Sequence, residues 1–395
     1  MKIVTLLEAQ VRQRSVRATA LALIVLAAGC AAALPASDVV REIAAPTHPL
    51  PEEAGSAGVT RFSFIAYGDT RGRRDGVELQ HEHGLVLDSM IETIGQLESS
   101  AYPVRFVLQS GDAVVNGRDP EQWNRSFVDL VNRLTAGAGV PYFLAPGNHD
   151  VTSAMSLGAP GRIAGLRNYV EATSLLIPPA GAARRLADYP TYAFGYGNTF
   201  VLAIDSNIAA DETQFDWIRS QLEGLDRRRY VHVIAFFHHP VFSSGPHGGS
   251  TLEPQTAELR ARYEPLFRRH HVRMTIAGHD HVFEHWVERY QDSAGASHRM
   301  DHLVTGGGGA PIYTYHGEPD LKDFLAAGAA EKVELEHLVR PGAHAADNPY
   351  HYVVVRVDGN AISLEVIGVG AGAGEDFRPY RNRGMTIAGG GPAPP

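Results

Sequence analysis

The stretch Pro146-Gly147-Asn148-His149-Asp150 follows an apolar run over residues 140–145 and carries an amide, an imidazole and a carboxylate in succession. A turn that closes a strand needs only the first three of these residues, because glycine accepts a positive φ and asparagine caps its own backbone. His149 and Asp150 exceed what a turn requires. Taken alone, the stretch still fits an ordinary loop after a strand, so other segments have to decide whether it belongs to a site.

Four further apolar runs end in polar or metal-competent residues, most of them beside glycine. Residues 61–67 lead into Gly68-Asp69, 104–109 into Gly111-Asp112, 231–237 into His238-His239, and 272–277 into Gly278-His279-Asp280-His281. Near-continuous runs of Val, Ile, Phe and Leu are typical of strands that are buried on both faces. The sequence therefore predicts five buried strands, each followed by side chains that can bind or catalyse.

Apolar residues spaced by three and four lie between these strands and predict helices. The stripes cover residues 86–97, 127–134, 215–225 and 259–267, and we interpret all of them as core. Strands that alternate with helices predict an α/β protein, with layers of helices around the sheet and a ligand site at the carboxyl ends of the strands. All five polar clusters fall at such ends.

The pattern changes in the last third of the chain. Residues 302–305 are interpreted as a strand before the glycine run 306–309, and residues 351–357 and 361–367 flank a hairpin signal at Asp358-Gly359. We expect these late strands to complete a second sheet rather than to form a separate domain. Residues 150–191 predict irregular structure with a helix near 166–175, as a lid or a substrate-contacting insertion.

The amino-terminal segment is typical of an export signal. Basic residues precede an unbroken apolar stretch of 15 residues, 20–34, which is too short for a comfortable membrane span and fits a signal-peptide core. Cys30, the only cysteine, follows Leu26-Ala27-Ala28-Gly29, and this segment resembles a bacterial lipobox. We expect a signal peptide at 1–29 and a lipid anchor on Cys30, in a periplasmic lipoprotein of the bacterial envelope. A plain secretory signal or a buried helix are the alternatives.

Composition and charge set the remaining boundaries. We expect a flexible tether over 30–58, one domain over 59–369 and a flexible Gly/Pro-rich tail over 370–395. The formal charge is −9, and it becomes −12 once the four basic residues and one acidic residue of the leader are removed. An acidic chain argues against a general nucleic-acid surface, which needs a basic face.

The side chains at the strand ends have the donor types of a site for two metal ions. Carboxylates can bridge ions, and imidazoles bind zinc, iron or manganese. Each cluster alone is a weak signal, since a Gly-Asp pair is most often a turn. Gly278-His279-Asp280-His281 is more specific, because alternating positions at a strand end aim both imidazoles the same way. Five such clusters in one chain predict a metal centre.

This set of motifs resembles the calcineurin-like metallophosphoesterase superfamily, whose pattern reads Asp-x-His, Gly-Asp, Gly-Asn-His-Asp/Glu, His and Gly-His-x-His. The resemblance spans residues 62–313. Within the superfamily, His238-His239-Pro240-Val241-Phe242 is similar to the His-x-Pro-x-aromatic segment of the purple-acid-phosphatase-like branch. The resemblance implies a four-layer α-β-β-α sandwich, in which helices flank two mixed sheets.

The resemblance also implies which side chains hold the metal ions. Asp112 would bridge both ions. The first ion would be held by Asp69 and His281, and the second ion by Asn148, His238 and His279. His238 rather than His239 matches the ligand position, because it stands two residues before Pro240.

Further residues are implied to act on the substrate. His149 resembles the loop histidine that contacts the scissile phosphate or the leaving group, with Asp150 orienting its ring. His247, nine residues after His238, falls where purple acid phosphatases place a substrate-facing histidine. The loop around His247 also fits an ordinary exposed loop.

Two positions depart from the family pattern. The expected Asp-x-His reads Asp69-Thr70-Arg71, and Val115 stands where the purple enzymes have a tyrosine ligand, so no iron-tyrosinate colour is expected. Arg71 cannot ligate a cation, but a guanidinium binds phosphate through paired N–H groups. We hypothesise that His83 or His81 supplies the missing ligand. The alternative is a first site that is weaker or more hydrated.

The sequence and its family resemblance thus predict hydrolysis of a small phosphoric-ester substrate by a hydroxide held on two iron, manganese or zinc ions. His149 or His247 would protonate the leaving group, and Arg71 would stabilise the negative charge that develops. Monoesters, diesters and pyrophosphates all remain possible substrates. The alternative is an envelope lipoprotein that keeps the fold and binds a metal or ligand without turnover.

Overall fold

The structure is a computed structural model that describes residues 39–72, 80–152, 157–248 and 252–370, together with the backbone of the strand Met385–Ile387. The predicted signal peptide and Cys30 lie outside the described residues, as does most of the predicted tail. Among the described residues, no helix is both long and apolar enough to cross a bilayer.

The strands, in chain order, are β1 (Arg61–Tyr67), β2 (Val104–Gln109), β3 (Tyr142–Leu144), β4 (Tyr192–Tyr196), β5 (Thr199–Ala203), β6 (His232–Phe236), β7 (Met274–Ala277), β8 (Phe283–Gln291), β9 (Ser297–Thr305), β10 (Glu334–Val339), β11 (Tyr350–Asp358), β12 (Ala361–Val369) and β13 (Met385–Ile387).

The helices are α1 (His81–Leu97), α2 (Pro120–Gln122), α3 (Asp129–Asn132), α4 (Asn148–Val151), α5 (Pro160–Thr173), α6 (Glu212–Glu223), α7 (Pro254–Glu258), α8 (Glu264–Arg269) and α9 (Lys322–Ala327). Three π-helical stretches continue them, Trp123–Val128, Arg133–Ala138 and Leu259–Tyr263. All four apolar stripes predicted as helices lie in helical segments, and the helix predicted near 166–175 is the end of α5.

Two mixed sheets form the centre of the fold. The first sheet has the order β13-β12-β11-β1-β2-β3 and the second has the order β10-β8-β9-β7-β6-β5-β4. Strands β1, β2 and β3 run parallel to one another, as do β5, β6, β7 and β9. In the first sheet the parallel strands form one end and the antiparallel strands β11, β12 and β13 the other, whereas the second sheet has a parallel middle with antiparallel strands on both sides.

Alternation along β1 shows why both faces of the first sheet are buried. Phe62, Phe64 and Ala66 pack with residues of the second sheet, such as Phe236, in one apolar cluster between the sheets. Ile65 and Tyr67 point the other way, into a cluster with α1, the helical stretch 120–138 and α5. Because successive side chains of a strand face opposite sides, the continuous apolar run in the sequence serves two cores.

A third apolar cluster lies on the outer face of the second sheet, between the sheet and two helical segments, α6 and the stretch 254–269 that ends with α8. Helix, sheet, sheet and helix thus form four layers, and the predicted fold class is confirmed. The late strands are divided differently from the prediction. Strand β9 joins the second sheet, but the hairpin β11-β12 pairs with β1 and completes the first sheet.

Two terminal segments also differ from the prediction. Residues 39–58 are not a free tether, because Val40 and Ile43 are buried in the core under α5, and the amide of Ile43 donates to the carbonyl of Ala172 at 2.9 Å. At the other end, β13 pairs with β12 inside the predicted tail. Apolar residues spaced within a polar segment explain the first difference, because burying two aliphatic side chains stabilises a docked chain.

Candidate metal centre

The parallel strands of both sheets deliver the predicted donors to one place. Asp69, Asp112 and Asn148 follow β1, β2 and β3, whereas His238 and His279 each stand two residues after the end of β6 and β7. The carboxyl ends of parallel strands meet at the same edge of a sheet, where loops present side chains to a ligand. The two sheets therefore contribute to a single cluster.

Four donor atoms converge around His238. Its Nε2 lies 2.8 Å from Oδ1 of Asn148, 3.1 Å from Nδ1 of His279 and 3.4 Å from Oδ1 of Asp112. An ion with ligands at about 2.0–2.2 Å in a tetrahedral arrangement holds its donor atoms about 3.3–3.6 Å apart, slightly further than the two closest contacts of His238. These four side chains are the set that the sequence assigns to the bridging position and the second ion.

Hydrogen bonds on the far side of each ring fix which nitrogen faces the cluster. Nδ1 of His238 donates to the carbonyl of Ser110 at 3.1 Å, because a carbonyl can only accept, so Nε2 keeps its lone pair. Nδ1 of His281 donates to the carbonyl of Pro311 in the same way. In His279 the two ring nitrogens exchange these roles: Nε2 donates to Glu253, and Nδ1 faces His238 with its lone pair. All three rings offer lone pairs inward, as metal ligands do.

The backbone at the cluster is strained. Asp69, Asp112 and His279 have φ values of 59°, 56° and 70°, a region that L-residues rarely occupy. Such conformations cost of the order of 1–3 kcal/mol each and cluster at functional sites, where the surrounding structure enforces them. The strain turns the two carboxylates and the imidazole back from the strand ends toward one another.

Glycines around the cluster are required by close packing. Gly147 has an ordinary φ of −91°, so the turn chemistry predicted from the sequence does not explain it. A Cβ on Gly147 would lie 2.2 Å from the amide nitrogen and from Oδ1 of Asp112, and one on Gly278 would lie 2.0 Å from Oδ2 of Asp69. Any side chain at either position would displace a donor.

The donors predicted for the first ion are arranged differently. Oδ1 of Asp69 lies 3.5 Å from Nε2 of His281, and both side chains are buried. Arg71 lies beside His281 and Asp112: its Nε is 3.3 Å from Oδ2 of Asp112 and its Nη2 is 3.5 Å from Nε2 of His281. The residues predicted for this half therefore surround a guanidinium.

The proposed replacement ligands are not brought to the cluster. Both ring nitrogens of His83 are engaged elsewhere, Nε2 with the hydroxyl of Tyr67 at 3.0 Å and Nδ1 with Oε1 of Gln80 at 2.8 Å. Burial lowers the pKa of His83 to about 3. His81 is exposed at the first residue of α1. The hypothesis that either histidine completes the first site is wrong for this structure, because His83 belongs to the core beneath β1.

His149 faces the centre, but Asp150 does not orient it. Nδ1 of His149 donates to the carbonyl of Val115 at 2.7 Å, and its Nε2 lies 3.9 Å from Oδ2 of Asp112. Asp150 is buried and accepts from the backbone amides of Ala113, at 2.9 Å, and Gly147, at 2.8 Å. The carboxylate therefore ties the loop after β2 to the loop after β3, and a carbonyl does the orienting.

Sequence reasoning missed Glu253. Its carboxylate accepts from Nε2 of His279 at 2.9 Å and lies 3.0 Å from Nδ1 of His247. The hydrogen bond to Glu253 raises the pKa of His247, and the ring of His247 packs 4.2 Å from that of His279. Glu253 thus connects the predicted metal ligand with the predicted substrate-facing histidine. A lone glutamate before a helix carries no motif, so no signal in the sequence singled it out.

The pKa values of the two buried aspartates, Asp69 and Asp112, are shifted in opposite directions. Burial and the charge of Asp112 raise the pKa of Asp69 well above its usual range. Burial acts in the same direction on Asp112, but His238, His149 and Arg71 outweigh it and lower the pKa of Asp112. Burial also lowers the pKa of His238 to about 3 and that of His281 to about 4. Neutral imidazoles beside carboxylates favour a bound cation.

Comparison with known proteins agrees with this geometry. The family model described as calcineurin-like phosphoesterase matches residues 78–283. Purple acid phosphatase 1 of Ipomoea batatas is 23% identical over 68% of this chain and 58% of its own length. The Fe(3+)-Zn(2+) purple acid phosphatase 12 of Arabidopsis thaliana is 23% identical over 53% of this chain and 44% of its own.

A solved structure shares the fold. The purple acid phosphatase PPD1 from yellow lupin (Lupinus luteus) seeds superposes with a TM-score of 0.56 and 18% identity, over 79% of this chain and 52% of the lupin chain. The chain therefore spans about half the length of these relatives. Since the family model matches more than half of the sequence, the chain belongs to the calcineurin-like phosphoesterase family.

Proposed function

We propose that this protein is a metal-dependent hydrolase of phosphoric esters. The observation that carries the proposal is the convergence of four side chains, Asp112, Asn148, His238 and His279. Donor atoms of Asp112, Asn148 and His279 lie 2.8–3.4 Å from Nε2 of His238. Family membership supports the same reaction class. An ion bound there supplies Lewis-acid stabilisation of the ester and lowers the pKa of a water molecule toward neutrality.

The chain's own residues bind and orient the ester around that ion. The ring of His149 is held by the carbonyl of Val115 and is 31% exposed, so its Nε2 can meet a ligand that enters beside Asp112. We assign His149 to the leaving-group oxygen, as the group that delivers a proton. Arg71 supplies fixed positive charge on the same side, where negative charge develops on the ester oxygens.

His247 is the second proton donor in this proposal. Its side chain is 35% exposed, next to Tyr313 and the ring of His279, at the outer edge of the cluster. Glu253 holds Nδ1 and favours the protonated ring, so His247 can donate from Nε2 to an anionic substrate. A small phosphoric ester fits both histidines, and the monoester, diester and pyrophosphate classes share these requirements.

We also propose export and lipid anchoring. The support is the sequence alone: basic residues, an apolar stretch and a single cysteine after Leu26-Ala27-Ala28-Gly29. In a bacterial host, radioactive palmitate should label the membrane fraction of the wild-type protein but not a Cys30→Ser variant. A protein that stays in the cytosol with its leader uncleaved contradicts the proposal.

The function is tested with nitrophenyl esters. The purified protein is loaded with manganese, zinc or iron, and the release of nitrophenol from mono- and bis-nitrophenyl phosphate is followed. We expect turnover that a chelator abolishes and that Asn148→Ala abolishes. Turnover of the monoester alone assigns a phosphatase, and turnover of the diester a phosphodiesterase. Metal bound tightly without turnover of any ester, pyrophosphate included, favours the binding lipoprotein.

A further inference from the structure

Arg71 occupies the half of the centre that the family resemblance assigns to a first metal ion. Its Nε lies 3.3 Å from Oδ2 of Asp112, on the oxygen that does not face His238, and its Nη2 lies 3.5 Å from Nε2 of His281. The Arg71 side chain is only 15% exposed. The guanidinium thus sits between the bridging carboxylate and the histidine predicted for the first ion.

The lone pair of His281 faces this guanidinium. Because Nδ1 of His281 donates to the carbonyl of Pro311, Nε2 can only accept, and the N–H of Arg71 is the donor directed at it. A metal ion on His281 would have to take that lone pair from Arg71. The geometry therefore offers His281 one partner or the other.

Electrostatics leads to the same conclusion. Asp69, Asp112 and His238 place ligand atoms within 4.8 Å of one another, so two buried carboxylates share a small volume and need positive charge. A divalent ion on the Asn148, His238 and His279 side would balance the two carboxylates, and the guanidinium of Arg71 adds one further positive charge beside them. A guanidinium stays protonated in proteins, and it would repel a second divalent ion placed beside Oδ2 of Asp112.

The ligand positions of the first site are depleted as well. Arg71 stands in place of the histidine of Asp-x-His, and Val115 stands in place of the tyrosine of the purple enzymes. His83 is bonded to Tyr67 and Gln80 instead. Among the residues that the structure describes, the predicted ligand set leaves Asp69, Asp112 and His281 for a first ion, and Arg71 contacts two of these three.

We propose that this centre binds one metal ion tightly, at Asp112, Asn148, His238 and His279, and that the guanidinium of Arg71 replaces the first ion. The proposal departs from the two-ion expectation and rests on the proposed function only for its consequence at the substrate. A guanidinium has five N–H donors, and those not directed at His281 are available to the ester oxygens that a first ion would otherwise hold. Arg71 then acts as a fixed, non-exchangeable cation.

The test counts metal in the full chain. Wild-type protein, Arg71→His and Arg71→Gln are each incubated with excess manganese or zinc, desalted and analysed by mass spectrometry for ions per chain. We expect about one ion in the wild type and about two in Arg71→His, which restores Asp-x-His and its ligand set. Arg71→Gln is the matched control, because it removes the repelling charge without adding an imidazole. With Asp69, Asp112 and His281 as the remaining predicted ligands, its second ion should be lost on desalting, so that about one ion is retained.

Electron paramagnetic resonance of the manganese-loaded proteins gives an independent readout. We expect the six-line signal of an isolated ion in the wild type and a spin-coupled signal in Arg71→His. Two tightly bound ions in the wild type overturn the proposal, as does a wild type that is folded by circular dichroism and binds none. A single ion in folded Arg71→His also counts against it. Neither readout needs turnover, so one ion per chain without esterase activity refutes the proposed function and leaves this inference standing.

Discussion

Glu253 accepts a hydrogen bond from Nε2 of His279 at 2.9 Å, on the side of the ring opposite to the nitrogen that faces His238. Burial would raise the pKa of Glu253, but its hydrogen bonds to His247 and His279 outweigh burial and lower it. The carboxylate is therefore ionised, and it holds His279 in the tautomer whose Nδ1 lone pair points into the cluster. This is the outer-shell carboxylate that metal-binding histidines usually have.

Replacing Glu253 with Gln should weaken metal binding about 10- to 100-fold, because a neutral amide holds the tautomer of His279 less firmly. Competition against a chromogenic chelator measures the affinity. Glu258→Gln is the matched control on the same segment, since the Glu258 carboxylate is partly exposed and lies 3.9 Å from Arg262, outside the cluster. Equal metal affinities of the Glu253 variant and the control would contradict this role.

The adjacent histidines 238 and 239 should behave differently. His238 directs Nε2 at the other donors, whereas Nδ1 of His239 bonds to the hydroxyl of Ser206 at 2.9 Å. We expect His238→Asn to weaken metal binding more than about 100-fold, beyond the loss typical of an outer-shell residue, and His239→Asn to weaken it less than about 10-fold. Metal content after dialysis against a weak chelator separates the two. A larger loss in the His239 variant would reverse the assignment.

The sequence predicted that the donor side chains of the cluster would lie close together, because they come from local patterns joined by simple topology. Each of Asp69, Asp112 and Asn148 stands two or three residues after an apolar run, and parallel strands place such ends together. The choice of His238 over His239 came instead from the family resemblance, in which the ligand stands two residues before the proline, here Pro240. What local patterns cannot give is the direction of a side chain after the strand ends, and the positive φ values of Asp69 and Asp112 are set by tertiary packing.

The parts that were wrong depend on long-range contacts. The pairing of β11 with β1 joins residues almost 300 positions apart, for example Arg61 with Asp358, and no local signal selects one sheet over the other. Glu253 forms a hydrogen bond with His279, which is distant from it in the sequence. Val40 packs under helix α5, although the composition of its segment predicts a linker. These contacts are decided by which buried surfaces fit together.

Asp150 should contribute to stability rather than to the orientation of His149. Its buried carboxylate accepts from the amides of Ala113 and Gly147. In Asp150→Asn an NH₂ group faces one of these N–H donors, so we expect a loss of about 1–3 kcal/mol in the free energy of unfolding. Urea titration measures it. Asp188→Asn is the control, since Asp188 is exposed and Asn tolerates its φ of 61°, and its change should stay within about 0.5 kcal/mol.

Activity distinguishes the two roles of Asp150. If the carboxylate oriented the imidazole, Asp150→Asn would lower kcat while stability stayed unchanged. Our interpretation requires the opposite result. Asp150→Asn should lower the free energy of unfolding, measurably so in the metal-free protein, and should leave kcat unchanged. An unchanged unfolding free energy together with a large fall in kcat would restore the role predicted from the sequence.

His83 should make the protein less stable in acid. Burial lowers its pKa to about 3 in the folded state, whereas an unfolded histidine has a pKa of about 6.5. Between these values the unfolded chain binds a proton at residue 83 and the folded chain does not. Stability therefore falls as the pH falls below about 6.5, with a slope from this residue of about 1.4 kcal/mol per pH unit.

His83→Gln removes that proton while keeping a side chain that can bond to Tyr67 and Gln80. We expect the variant to be less stable than wild type at pH 7, yet to lose about 1.4 kcal/mol less on going from pH 5.5 to pH 4.5. Urea unfolding of the metal-free protein at the two pH values measures the difference. His81→Gln, an exposed position two residues earlier on the same helix, should keep the wild-type slope. Parallel pH profiles for wild type and His83→Gln would show that His83 is protonated in the folded protein. The metal content of both variants should equal that of the wild type, because neither histidine ring reaches the cluster.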